Sequence, residues 1–138
     1  MVWYAHNVLI KVNNMNWFLF AAAVVSLITF FVHTFVGGYQ VAKPLLNTPN
    51  IQEQVKLTTY YCWHISTILL LVMTGAYAYV AAFQFDIPLT VAVTSIAGAC
   101  GLLSIGLIVV LKLKSLDYPQ WMFFIPITLL AVLGLFSS

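Results

Sequence analysis

Two histidines set the chemistry this sequence could do. His33 and His64 each lie inside a long apolar run, where an ionisable side chain is costly and by default points to function. Imidazole is the cheapest of these groups in a membrane because it can stay neutral. A pair at similar depth could ligate haem b or a transition metal. A metal needs more than two ligands, and Asp117 is the best third candidate. A His33, His64, Asp117 set with an open position would be a catalytic-type site. Cys62 precedes His64 by two residues, about 200° around a helix, and so faces away from it. The structural alternative is that each His hydrogen-bonds a Ser, a Thr or a backbone carbonyl on the next helix and fixes register, a use worth ~0.6–2 kcal/mol. A proton relay and a lipid or quinone contact are further uses.

Geometry separates haem from metal. Directly packed helices sit about 8–10 Å apart, room for a small ion between side chains but not for a porphyrin plane. Haem requires the first two helices to be splayed or diagonal, with Lys43 and Lys56 meeting the propionates at the membrane surface.

The elements that position these residues follow from hydropathy. The chain has 138 residues, 63% hydrophobic and 6% charged, against about 25% charged in soluble domains. This predicts an all-α integral membrane protein, one four-pass domain over residues 1–138. Four apolar runs predict helices over about 17–37, 49–82, 89–111 and 120–136, an up-down four-helix bundle. Residues 1–14, with Trp3, Tyr4 and Lys11, predict a short interfacial helix. They lack a basic region and an A-x-A site, so the helices themselves would direct insertion. Gly37-Gly38 weakens the end of helix one and Pro44 stops it. Thr48-Pro49 reads as the N-cap and first residue of helix two, and Pro126 predicts a kink in helix four.

Each of the first three helices carries a stripe of small or polar residues suited to helix contacts in lipid. Helix one has Ala22, Ser26, Thr29, His33 and Gly37; helix two has His64, Thr67, Leu71, Thr74 and Ala78; helix three has Thr90, Thr94, Ala97, Gly101 and Ser104, widened by Gly98. Both histidines therefore read as inward-facing. Tyr60, Tyr61, Trp63, Trp17 and Trp121 read as interface anchors. Cys62 and Cys100 differ in depth by roughly 10 Å at 1.5 Å per residue, too far for a disulfide.

Net charge is +2, from five lysines and three acidic residues. Lys43, Lys56, Lys112 and Lys114 fall at one side of the bundle and Lys11 at the other. The positive-inside rule then places loops 38–57 and 112–120 in the cytoplasm and both termini outside, in a bacterial inner membrane. The lysines form no patch for nucleic acid. No nucleophile elbow, phosphate loop, H-E-x-x-H or paired carboxylate is present, which argues against hydrolase or kinase chemistry.

The order His33-x3-Gly37, Pro44-Leu45-Leu46 and Trp63-His64-x-x-Thr67 resembles a group of small bacterial four-helix membrane proteins. The likeness covers the first two helices and their loop. It implies that His33 and His64 act as a pair, and it supplies no activity. Members often carry an acidic residue after the motif glycine. Here that place is Gly38, which argues against a metal if the acid is a ligand.

The expected function is a non-catalytic accessory or structural subunit of a larger membrane complex. Its partners would be the bilayer and either other subunits or copies of itself. The alternatives are a haem- or metal-binding redox module using His33 and His64, and a small transporter or proton path lined by the Ser, Thr and His stripes.

Overall fold

The computed structural model describes residues 15–83 and 86–137. The interfacial helix expected over 1–14 lies outside them. The fold is an all-α bundle of four helices: α1 (Trp17–Asn47), α2 (Glu53–Ala82), α3 (Ile87–Val110) and α4 (Trp121–Phe136). The first three are long and apolar enough to cross a bilayer, and α4 is a shorter apolar helix. Most of the surface of those three remains exposed and apolar, as lipid contact requires.

α1 packs between α2 and α4, α4 also packs on α3, and α2 meets α3 more lightly. The core is where these faces converge, on Leu19, Ala22 and Ala23 of α1, Met73 and Tyr77 of α2, Ala97 of α3, and Ile127 and Ala131 of α4. Neighbouring helices run antiparallel. Asn16 shows this at one end: its backbone N–H donates to Ala81 O at the end of α2 (3.3 Å) and its side-chain amide donates to Gly134 O near the end of α4 (2.8 Å). Its side-chain oxygen also accepts from Leu19 N (3.1 Å), capping α1. One asparagine thus ties three helices. At the opposite end lie the close of α1, the start of α2, the end of α3 and the start of α4, and with them Lys43, Lys56, Lys112 and Lys114.

Three boundaries differ from the sequence reading. α1 does not stop at Gly37-Gly38 or at Pro44. It passes into a π-helical stretch, Val32–Ala42, and closes as a short α segment, Lys43–Asn47, with Pro44 in its first turn. Glycine lowers helix propensity without forbidding helical backbone, and proline is tolerated in a first turn, so the hydrogen bonds persist, in wider turns over Val32–Ala42. Lys43 N–H donating to Gly38 O is one of these five-residue bonds. Thr48 closes α1 rather than opening α2. Its hydroxyl donates back to Pro44 O (2.8 Å) and its N–H to Leu45 O (3.3 Å), so α2 starts only at Glu53. α3 starts at Ile87, because the Asp86 carboxylate caps it by accepting from Leu89 N (2.9 Å).

The far end of α3 has an unusual cap. Leu113 N–H donates to Ile108 O (3.0 Å) and Lys112 N–H to Val109 O (3.4 Å), the paired bonds of a Schellman motif. Glycine usually holds the left-handed position of that motif. Here it is Lys112, with φ 52°, the one non-glycine residue of positive φ among the described residues. A side chain there costs about 1–2 kcal/mol. The described glycines all lie within helices, none with positive φ.

Candidate functional site

His33 sits in the π-helical part of α1 and is half-buried. Its ring stacks on the indole of Trp63 of α2, with centroids 4.0 Å apart and planes 15° apart. Its Nε2 lies 3.2 Å from Trp63 O. A carbonyl can only accept, so Nε2 carries the proton and donates, and in the neutral ring the lone pair is on Nδ1. The same carbonyl accepts from the Thr67 hydroxyl (3.2 Å). Gly37 completes the seat. A Cβ there would lie 2.8 Å from Trp63 Cη2, so only glycine lets the indole lie this close.

His64 is exposed, not inward. Its ring meets Tyr60 of the same helix edge-on, with centroids 4.5 Å apart and planes 89° apart. One residue is a 100° rotation on a helix. The buried face of α2 runs through Leu70, Met73, Tyr77, Val80 and Ala81. Continued toward the helix start, that face carries Trp63 toward α1 and turns His64 away, while Leu71 of the expected stripe is exposed. Trp63, read as an interface anchor, is the residue that fills the space between the two helices. The His33 ring stacks on the residue next to His64, so the two imidazoles share a depth, but they do not converge. α1 and α2 are direct neighbours, so a porphyrin between the histidines would have to displace the indole. Asp117 is exposed in the α3–α4 turn. Among the described residues no three His, Cys, Asp or Glu side chains come together as a metal site. Cys62 and Cys100 are free thiols.

The small and polar residues lie as follows. Ser26 is fully buried and Thr29 nearly so on α1, and Thr90, Thr94, Ala97, Gly101 and Ser104 line the inner face of α3. Gly98 faces Thr128, and Gly101 faces Ile125 and Phe124 of α4. The hydroxyls mostly do not bridge helices. Thr29, Thr67 and Thr74 donate to the carbonyl four residues back in their own helix, at 2.8, 3.2 and 2.8 Å, because that acceptor is always within reach. Tyr77 is the exception, its hydroxyl donating to Thr94 Oγ1 (3.3 Å) across α2 and α3.

Asn16 and Gly134 are among the packing residues that were not singled out from the sequence. Asn16 carried no signal beyond a polar residue before an apolar run, which is an N-cap pattern. Gly134 lay in a legible stripe, Ile127, Ala131 and Gly134, at spacings of four and three. Neither protein-family models, nor curated proteins, nor solved structures match the chain.

Proposed function

We propose that the protein is a non-catalytic subunit that associates side by side with other transmembrane helices, its lysine-bearing end in the cytoplasm of a bacterial cell. The supporting observation is a small-residue edge of α3 beside α4. A groove of about 510 Å³ runs between α3 and α4, lined by Val91, Thr94, Ser95, Gly98, Ala99, Leu102, Thr128 and Leu135. Ser95 and Ala99 are exposed, four residues apart, beside the Gly98 notch. Lipid chains gain nothing from small residues, whereas a neighbouring helix approaches closely over them. The partner is a further membrane helix, from another subunit or a second copy.

Ala99→Trp tests this by filling the groove from outside the monomer core. In mild detergent the natural protein should migrate as a complex larger than one chain, and the variant as a single chain with unchanged helix content. A natural protein that migrates as a single chain would overturn the reading.

The redox alternative keeps one supporting observation, two imidazoles at one depth. It requires Trp63 to move, and it is separated by colour. The subunit reading expects no absorbance beyond the aromatic band in oxidised or dithionite-reduced protein. A Soret band lost in both His33→Ala and His64→Ala would replace it with the redox reading.

A further inference from the structure

We infer that the α3–α4 turn binds the phosphate headgroup of an anionic phospholipid, with Lys112 and Lys114 as the contacting groups and Leu116 as an apolar anchor. Lys112 holds the left-handed position of the α3 cap, where glycine would be free of strain. Strain of this kind persists where the side chain has a use. A lysine needed only to mark topology or to offset the helix dipole could sit anywhere in the last turn, in ordinary helical backbone. This one is held at the point where the chain turns away from α3, so its ammonium leaves the bundle at the membrane surface.

The rest of the turn matches that environment. Lys114 follows two residues later and is exposed. Leu116 at the tip is 80% exposed, and Tyr118 beside it is exposed as well. Trp121, at the start of α4, donates its indole N–H to Ser115 O (3.3 Å) and holds the turn against the helix. Two exposed cations, an exposed leucine and an indole within one turn are what the headgroup layer accommodates. Asp117 is the acid of this turn, and its backbone N–H donates to Lys114 O (3.0 Å). Among the described residues no carboxylate pairs with either ammonium. The two charges are therefore available to a phosphate.

The experiment uses the full chain in nanodiscs of phosphatidylcholine with and without phosphatidylglycerol, reading retained lipid by native mass spectrometry and unfolding by temperature. The natural protein should retain phosphatidylglycerol in preference to phosphatidylcholine. Lys112→Gly and Lys114→Gln should each weaken that preference about fivefold, and together about 30-fold. Lys112→Gly also removes the backbone strain, so it should unfold at the same or a higher temperature. Lost lipid with undiminished stability would not be a folding defect. A double variant that keeps the natural preference would overturn the inference. So would inorganic phosphate alone displacing the lipid, which would make this a site for the free ion. The inference rests on the membrane reading, and a chain that does not enter the nanodisc at all would overturn that reading first.

Discussion

Gly134→Ala is expected to destabilise the protein by about 1–3 kcal/mol, although it adds a single methyl group. The new Cβ would lie 2.6 Å from Leu19 Cδ2 and 2.7 Å from Leu19 Cγ. Cγ is a branch point, and Leu19 is fully buried, so the clash cannot be relieved by swinging the end of a side chain. It also reaches the Asn16 side-chain oxygen at 3.3 Å, the atom that caps α1, and Asn16 holds Gly134 O through its amide. The methyl group therefore pushes on the contact and on the hydrogen bonds that define it. Reversible unfolding in mixed micelles measures the cost. Leu19→Ala should absorb part of it, so the double variant should be more stable than the sum of the singles by about 1–2 kcal/mol. Full additivity would mean that α1 and α4 do not approach this closely.

Trp63→Ala is expected to cost about 2 kcal/mol, below the ~3–5 kcal/mol of a fully buried aromatic truncation because the indole is only half-buried. The hydrogen bond from His33 ends on the backbone carbonyl of residue 63, so truncation leaves its acceptor in place. What is lost is the ring stack and the filling between α1 and α2. Gly37→Ala should be destabilising in the natural chain, where its Cβ would be 2.8 Å from Trp63 Cη2. In the Trp63→Ala background the same substitution should become neutral or favourable, as alanine is the better helix former. A Gly37→Ala cost that is the same in both backgrounds would sink the proposed fit between glycine and indole.

These two sites show what the sequence could and could not disclose. The α1 stripe was readable because Ala22, Ser26 and Thr29 stand out as small or polar in an otherwise large apolar helix, and burial follows them. The α3 stripe was readable for the same reason. α2 offered two stripes one residue apart, through Trp63 or through His64, both with small and apolar residues along them. Which one faces inward depends on how α1 is shaped opposite, and the glycine notch at Gly37 accepts the indole. A single sequence does not display that match, because it is a property of two surfaces. The π-helical stretch was hidden for a related reason. Gly37-Gly38 and Pro44 read as breaking signals, but glycine only weakens a helix, and Pro44 falls in the first turn of the segment Lys43–Asn47, where its missing N–H costs little.

The order of packing along the chain has a consequence for biogenesis. α1 emerges first, yet the face it buries is shared between α2 and α4. The asparagine that starts it is bonded to Gly134, 118 residues later. Until α4 has left the ribosome, α1 has only α2 beside it, and the surface bearing Leu19, which meets Gly134, is incompletely covered. The bundle therefore closes after insertion, as a ring sealed by its earliest and latest helices, rather than helix by helix as each is made. A nascent chain stalled after α3 would expose an α1 surface that its own missing helix, or a chaperone in the bilayer, must cover.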